Sequence, residues 1–161
     1  MRINESISVH ASPAHVWEEI LEPDNYPRFM TGITRWDVEG DIRSGRGARY
    51  KMLLRVGSAE VGGLIEIVEE IPERELAWTS VTGIDQRGRW RLRVGGSGIT
   101  KVELRFSYGV AGAGLGGWLS EQVSAPLVRR QMRASLTELK RIVEQRRRRR
   151  EAEERRAGAA Y

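Results

Sequence analysis

Six segments of alternating polar and apolar residues follow one another between Ile33 and Tyr108, with only short turns between them. The alternation places these segments at residues 33–40, 48–56, 60–71, 76–82, 89–94 and 100–108. Alternation with a period of two is typical of half-buried strands. The turns, such as Gly57-Ser58 and residues 95–98, are too short for crossover helices. The pattern therefore predicts a meandering antiparallel sheet.

A further strand and two short helices are predicted before this series. Residues 3–11 alternate, which indicates a strand. Ser12-Pro13 then has the residue types preferred at a helix N-cap and at the first helical position. Glu22-Pro23 ends that helix, and residues 24–29 predict a second short helix or turn.

One long helix is predicted after a glycine-rich stretch at residues 111–117, and it reaches about Gln145. Its apolar residues recur every three or four positions and form a stripe along one side. They are Val128, Met132, Leu136, Leu139 and Val143. We expect this stripe to cover one face of the sheet.

The positive charge is concentrated at the end of the chain. The 161 residues contain 27 Lys/Arg and 22 Asp/Glu, giving a net charge of +5. Nine of these bases and four of these acids lie from Lys140 onward, so residues 1–139 contain 18 of each and are neutral. This distribution predicts one domain over residues 1–145 and a basic, frayed tail over residues 146–161. The high pI is therefore poor evidence for a nucleic-acid-binding domain, and no nucleic-acid partner is expected.

Four stretches of the chain, in their order, resemble the START-like, SRPBCC superfamily. They are Val9-His10-Ala11-Ser12-Pro13-Ala14-His15-Val16-Trp17, Asn25-Tyr26-Pro27, Ile71-Pro72-Glu73-Arg74-Glu75-Leu76 and Leu136-Thr137-Glu138-Leu139-Lys140. The likeness covers roughly residues 2–145 and is nearest to the group called polyketide cyclase/dehydrase and lipid transport. It implies an α+β helix-grip fold, in which a curved antiparallel seven-stranded sheet wraps around the long C-terminal helix. It also implies a hydrophobic cavity between sheet and helix, but no single chemistry, because members bind or convert many different molecules.

The sheet face that should look toward the long helix carries aromatic residues and a few hydroxyl groups. Such a face is either a plain core or the lining of a pocket for small apolar ligands with one polar end. The resemblance favours the pocket. The predicted ligand-binding residues are Tyr50, Met52, Trp78, Ser80, Thr82, Trp90, Leu104, Phe106, Tyr108, Leu115, Leu119 and Met132. Among them Tyr50, Ser80, Thr82 and Tyr108 are the candidate polar groups that orient the ligand.

Few residues suggest catalysis. Glu5 is the one acid on an otherwise apolar strand face, so it is a weak candidate for a general acid or base. A pairing with a base or an approach to solvent is the more ordinary role for such a residue. The two histidines, His10 and His15, have no second ligand at metal spacing, and the chain has no cysteine. We expect neither a metal nor a catalytic triad.

Gly112, Gly114 and Gly117 formally match the dinucleotide-binding pattern G-x-G-x-x-G. A dinucleotide-binding unit also needs a second parallel strand after the helix, and here the chain ends on the helix. The glycines are better explained as a connection between sheet and helix that borders the mouth of the cavity. We expect no bound cofactor.

Two basic surfaces complete the candidates. Arg49, Arg55, Arg89 and Arg91 should project from the outer sheet face, where nearby glutamates are available as cross-strand partners. The cluster Arg146, Arg147, Arg148, Arg149 and Arg150 is less fully offset. It either contacts anionic lipid or merely aids solubility.

Three functions are compatible with the sequence. The first is a protein that binds a lipid or an aromatic, polyketide-like molecule. The second is an aromatase/cyclase or dehydratase, which needs ionisable groups inside the pocket. The third is an interaction protein that uses its basic tail and outer sheet face to contact a membrane or nucleic acid. The residues favour the first, and the N-terminal pattern, with no secretory leader, favours a cytoplasmic location.

Overall fold

Seven strands form one antiparallel sheet in the computed structural model, which describes residues 1–109 and 121–160. The strands are β1 (Arg2–Val9), β2 (Ile33–Glu39), β3 (Arg49–Val56), β4 (Ala59–Ile71), β5 (Glu75–Ser80), β6 (Gln86–Val94) and β7 (Thr100–Tyr108). Their spatial order is β1-β7-β6-β5-β4-β3-β2. Strands β2 to β7 thus form the predicted meander, and β1 joins it at the β7 edge, with Glu5 opposite Leu104.

Three α-helices and one short 3-10 turn accompany the sheet in these residues. They are α1 (Pro13–Leu21), the 3-10 turn Pro23–Asn25, α2 (Tyr26–Phe29) and α3 (Glu121–Gly158). The predicted cap of α1 is confirmed, because Ser12 Oγ accepts a hydrogen bond from the backbone N–H of His15. The inner side of α1 buries Val16, Trp17 and Ile20.

Two adjacent glycines in β4 lie unusually close to the neighbouring backbone. A Cβ atom added to Gly62 would lie 2.1 Å from the Met52 carbonyl oxygen, and one added to Gly63 would lie 2.2 Å from the Thr82 carbonyl oxygen. Only glycine permits such close backbone approach. A register shift between Ile67 and Glu69 adds a second irregularity to the same strand. Bulges of this kind increase strand twist and bend the sheet.

Helix α3 lies across the concave side of the sheet and contacts β1, β3, β7, α1 and α2. Its apolar stripe is buried as predicted, at Val128, Met132, Leu136, Leu139 and Val143. Full burial of a leucine side chain stabilises a fold by about 1.5–3 kcal/mol. The seven-stranded antiparallel sheet and the long helix packed against it confirm the predicted helix-grip fold class.

The outer sheet face carries the predicted ion pairs. Arg49 and Arg55 pair with the glutamates directly opposite them on β4, Glu66 at 2.8 Å and Glu60 at 3.2 Å. Arg91 pairs with Glu75 at 2.9 Å. The interpretation of this face as a charge-balanced, solvated surface is confirmed for these pairs.

The C-terminal part of α3 differs from its prediction. The sequence predicts a frayed tail from residue 146, whereas α3 continues without a break to Gly158. Arg146 pairs with the fully buried Glu19 of α1 at 2.6 Å, and Arg150 pairs with Glu18 at 2.9 Å. Arg147 pairs with Glu151 one turn along the helix. The boundary predicted at residue 145 therefore falls inside a continuous helix that these contacts hold against α1.

Candidate functional site

A narrow cavity lies between the concave face of the sheet and α3. The volume that the centre of a water-sized molecule can occupy is about 50 Å³. Side chains from α2, the six strands β2 to β7 and α3 surround it, together with residues of the segment that follows α2. The described lining consists of Tyr26, Met30, Thr31, Ile33, Trp36, Met52, Leu54, Ile65, Ile67, Trp78, Gln86, Leu104, Phe106, Val128, Gln131, Met132 and Ser135.

Aromatic rings form two opposite parts of the wall. On one side the rings of Tyr26 and Trp36 are stacked, with centroids 4.6 Å apart. On the other side Trp78 lies 6.5 Å from Phe106. Trp78 occupies space left by the glycine opposite it on β6, because a Cβ atom at Gly88 would lie 1.8 Å from the indole ring. These flat apolar surfaces suit a ring system or a hydrocarbon chain.

One wall contains a buried amide with few partners. Gln86, at the start of β6, is 1% exposed. Its side-chain Nε2 donates only to the Met52 sulfur, at 3.7 Å, and its Oε1 has no hydrogen-bond partner in the described part of the chain. The indole Nε1 atoms of Trp36 and Trp78 are also buried without a partner among these residues. The cavity thus has unsatisfied polar atoms in an apolar wall.

A second polar group closes the α2 end of the cavity. Ser135 Oγ on α3 accepts a hydrogen bond from the Thr31 backbone N–H and donates one to the Gln131 carbonyl, both at 2.8 Å. The Gln131 amide in turn donates to the Arg55 carbonyl. These bonds attach α3 to the segment after α2 and to the end of β3, so the helix is fixed over the cavity.

A smaller cavity of about 20 Å³, by the same measure, adjoins the first. Ile84 and Tyr108 contribute to its wall. The two cavities share Met52, Leu54, Gln86, Phe106 and Val128. These five side chains form the partition between the two spaces.

Six of the predicted ligand-binding residues line one of these cavities. Met52, Trp78, Leu104, Phe106 and Met132 border the larger one, and Tyr108 borders the smaller one. Leu115 and Leu119 lie outside the described residues. The sequence prediction missed the contributions of α2 and β2, above all Tyr26 and Trp36, and it missed Gln86. Gln86 is four residues before Trp90 and therefore lies on the same face of β6. The predicted strand begins at residue 89, whereas β6 begins at Gln86.

The other four predicted residues, Tyr50, Ser80, Thr82 and Trp90, border neither cavity, contrary to the prediction. Tyr50 is packed behind Trp36, and its hydroxyl donates to the Arg43 carbonyl at 2.8 Å. Trp90 is covered by the edge of Phe29, 6.0 Å away. Ser80 Oγ accepts from the backbone N–H of Gln86 and so holds the turn before β6. Thr82 lies beyond the end of β5 at Ser80 and is exposed. Its Oγ1 accepts a hydrogen bond from the Leu64 backbone N–H.

The ionisable groups near the cavity are held in the structure rather than free for proton transfer. The Tyr26 hydroxyl donates to the Ile20 carbonyl at 2.7 Å, and burial raises the pKa of this phenol above its ordinary value. Glu5 lies between β1 and α3, where it pairs with Arg133 at 3.0 Å and with Arg129 at 3.6 Å. Burial likewise raises the pKa of Tyr50, to about 12. At neutral pH both phenols are therefore neutral hydrogen-bond donors.

The two histidines lie on the surface near the helices. His10 contacts Glu144 of α3 through both its backbone N–H and its ring. His15 Nδ1 lies 3.1 Å from Ser12 Oγ. Within residues 1–109 and 121–160, no three His, Asp or Glu side chains are grouped closely enough to hold a metal ion.

The seven-stranded antiparallel sheet with the long C-terminal helix packed against it is the helix-grip fold of START-like proteins of the SRPBCC superfamily. The chain belongs to the polyketide cyclase / dehydrase and lipid transport family, whose sequence model matches residues 1–144. The superfamily resemblance of the sequence is thereby confirmed.

Individual proteins similar to this chain include one relative found by sequence and two found by structure. A 17.2 kDa protein of Streptomyces lincolnensis, described as uncharacterised and encoded in the melC2-rnhH intergenic region, is 25% identical over 148 residues, which are 90% of this chain and 91% of the relative. TTHA0849 of Thermus thermophilus superimposes with a TM-score of 0.76 at 18% identity, over 89% of this chain and 97% of the other. The Zhui aromatase/cyclase of Streptomyces sp. R1128 superimposes with a TM-score of 0.76 at 17% identity, over 91% and 94%. At these identities the two structural likenesses show the shared fold alone.

Proposed function

We propose that this protein binds a hydrophobic small molecule, either a lipid or an aromatic, polyketide-like compound, in the cavity between its sheet and α3. The observation that carries the proposal is the lining: stacked and tilted aromatic rings, aliphatic side chains and a few polar groups. Ligand pockets combine a mainly apolar surface with a small number of polar groups that orient the ligand. The family description, which includes lipid transport, supports the same reading.

The cavity must widen to admit such a ligand, and its wall contains the side chains that allow this. Three of the four methionines of the chain, Met30, Met52 and Met132, line it. Methionine has an unbranched, flexible side chain that adapts to irregular partners. The partition between the two cavities also includes Met52, so movement of that side chain enlarges the space.

Native mass spectrometry of the purified protein, followed by solvent extraction, tests the proposal. We expect an apolar molecule to be retained by the wild type and by Val94→Trp, which enlarges a residue that is 77% exposed. We expect Val128→Trp to lose it, because Val128 borders both cavities and the indole would fill them. Equal retention by the two variants would contradict binding at this place.

The alternative is an aromatase/cyclase or dehydratase, the activity named for one of the structurally similar proteins. Such chemistry moves protons and needs ionisable groups against the substrate. The described lining contains no Asp, Glu, His, Lys or Arg, and its one phenol, Tyr26, donates to a backbone carbonyl. The geometry of this part of the chain therefore supports binding better than proton transfer.

A peripheral contact with anionic membranes through the arginine cluster is a separate proposal. Arg146 and Arg150 are paired with α1, so the exposed Arg148 and Arg149 are the residues available for lipid. Each base near an anionic surface contributes about 1 kcal/mol. Sedimentation with phosphatidylserine vesicles at low and high salt should show binding that the paired substitution Arg148→Glu and Arg149→Glu abolishes. Binding that is unchanged by salt and by these substitutions would remove the idea.

None of the helices in the described residues has a stretch long and apolar enough to cross a bilayer. The cytoplasmic location expected from the sequence stays a prediction. Microscopy of a fluorescent fusion tests it directly.

A further inference from the structure

Gln86 is a buried amide whose side chain is not required by the sheet around it. The backbone N–H of Gln86 donates to Ser80 Oγ, and its strand pairing with Tyr108 uses main-chain atoms. The side chain instead lies in the partition between the two cavities. Its Nε2 has one weak acceptor, the Met52 sulfur at 3.7 Å, and its Oε1 has none within the described residues.

An amide in this position is unfavourable for an empty, apolar cavity. A glutamine side chain offers two donors and an acceptor with two lone pairs. Leaving such groups buried without partners costs free energy, whereas a methionine would fill nearly the same volume without that cost. The other side chains of the partition, Met52, Leu54, Phe106 and Val128, are apolar. The amide is therefore explained by something polar that enters the cavity.

The other unsatisfied groups define what that polar group is. Trp36 and Trp78 each have a buried indole N–H without an acceptor in this part of the chain, and both line the larger cavity. The lining therefore has two indole donors and two amide acceptors, Gln86 Oε1 and Gln131 Oε1, without a partner among the described residues. An oxygen atom can accept from an indole or replace the weak sulfur acceptor of Gln86 Nε2, and a hydroxyl group can in addition donate to Oε1. The described lining has no cationic side chain to neutralise a carboxylate or a phosphate. The chemistry therefore fits a neutral carbonyl or hydroxyl oxygen.

We propose that Gln86 is the specificity-determining residue of the cavity, and that it hydrogen-bonds a neutral carbonyl or hydroxyl oxygen of an otherwise apolar ligand. Met52 accepts from the amide when no ligand is present and moves aside when the ligand enters, which joins the two cavities. The inference rests on the proposed function, because it assigns the polar partner within the same cavity.

The experiment compares two ligands that differ in one oxygen. Tetralin and 1-tetralone share a two-ring skeleton, and only the second has a carbonyl group. Both are titrated into nitrogen-15-labelled protein, and the side-chain amide signal of Gln86 and the indole signals of Trp36 and Trp78 are followed. We expect 1-tetralone to bind the wild type about fivefold to tenfold more tightly than tetralin, which is the effect of one hydrogen bond. The Gln86 amide signal should shift with 1-tetralone and much less with tetralin.

Gln86→Met is the deciding variant, and Gln131→Met is its matched control. Gln131 also lines the cavity, and its Oε1 likewise has no partner among the described residues. Its donor Nε2, however, is bound to the Arg55 carbonyl and is not available for a carbonyl ligand, so its loss should leave the preference for 1-tetralone intact. Gln86→Met should weaken 1-tetralone binding until the two ligands bind equally, while tetralin binding is kept. In protein with carbon-13-labelled methionine methyl groups, the Met52 signal should shift with either ligand, because both must displace it.

Three results overturn the inference, and they can be told apart. If both ligands bind the wild type equally, or if the preference survives in Gln86→Met, Gln86 does not recognise the oxygen, although the cavity still binds apolar molecules. If the Gln86 side-chain amide signal shifts with neither ligand, the amide is satisfied by bound water only. If neither ligand binds, and no molecule is extracted from the purified protein, the proposed function fails together with the inference. If Gln86→Met does not fold, the Gln86 amide signal of the wild type with the two ligands still tests whether Gln86 contacts the ligand oxygen.

Discussion

The two halves of the apolar stripe on α3 differ in what they cover. Leu136, Leu139 and Val143 are buried against β1 and the neighbouring core, and we call residues 136–150 the packed end of the helix. Val128 and Met132 are also buried, but they face the cavity, and we call residues 128–135 the cavity end. The same apolar stripe therefore has two roles. Its packed end stabilises the fold, and its cavity end borders the space proposed for a ligand.

Charged side chains attach α3 along its length, but the cavity wall is neutral. At the packed end, Lys140 donates to the Ser8 carbonyl of β1, Glu144 accepts from His10 just after β1, and Arg146 and Arg150 pair with Glu19 and Glu18 of α1. At the cavity end, Arg129 and Arg133 pair with Glu5 of β1, whereas the side chains that line the cavity are neutral and several of them have unsatisfied polar atoms. Unsatisfied buried groups destabilise a fold, so replacing such a group in the cavity wall should stabilise the protein, whereas shortening a packed side chain should destabilise it.

The largest effect should come from shortening a leucine at the packed end. Leu139→Ala is expected to lower the free energy of unfolding by about 2–5 kcal/mol, because it leaves a cavity in a filled core. Met132→Ala should cost less, about 1–2 kcal/mol, because that side chain already borders empty space. Urea unfolding of the two variants measures the difference. Equal losses would show that the two ends are packed alike.

The ion pair between α3 and α1 should give the next effect. Burial raises the pKa of Glu19, while Arg146 and Arg28 oppose that shift. Without Arg146, a buried carboxylate loses its partner, so Arg146→Ala should lower the free energy of unfolding by about 2 kcal/mol near pH 8, less than for a fully buried pair. The loss should shrink near pH 5, where Glu19 is more readily protonated and needs no partner. Arg148→Ala, at an exposed position, is the control and should change little at either pH.

The unsatisfied amide in the cavity wall opposite α3 should respond in the opposite direction. Gln86→Met replaces an unsatisfied amide by an apolar side chain of similar size, and it is expected to raise the free energy of unfolding of the ligand-free protein by about 1 kcal/mol. Thermal or urea unfolding measures the gain. Gln131→Met is not expected to stabilise, because its amide has a carbonyl partner that would be left alone. A loss of stability in Gln86→Met would mean that the amide is already satisfied.

The sequence predicts the packed end better than the cavity end, and the reason is physical. The stripe on α3 and the Ser12 cap depend on residues close together in the chain, so periodicity and capping chemistry are sufficient. The cavity depends on the curvature of the whole sheet and on which inward residues other side chains cover. Trp90 has the expected parity and is still closed off by Phe29, which comes from a distant helix.

Two further errors have the same non-local origin. Thr82 continues the alternation of β5 in the sequence, but the strand ends at Ser80. Two hydrogen bonds stabilise the turn that follows: Thr82 Oγ1 accepts from the Leu64 N–H of β4, and Ser80 Oγ accepts from the Gln86 N–H. The sequence does not predict Trp36 as a lining residue, because its position in the wall depends on stacking with Tyr26 of α2. Strand parity gives the face of a residue, whereas the neighbours on that face come from the whole fold.

The smallest expected effect tests how charge fixes the packed end. Although burial opposes it, hydrogen bonds from Lys140 and from the backbone and ring of His10 lower the pKa of Glu144 from 4.5 to about 2. A carboxyl group with a lowered pKa in the folded state stabilises the fold above its unfolded pKa, and that contribution is lost as the pH falls from about 4.5 toward 2. Glu144→Gln should therefore remove part of the pH dependence of unfolding in this window, whereas the exposed Glu153→Gln should not. If the two variants give the same acid curves as the wild type, Glu144 does not hold β1 to α3, and packing by Leu139 and its neighbours alone accounts for the stability of this end.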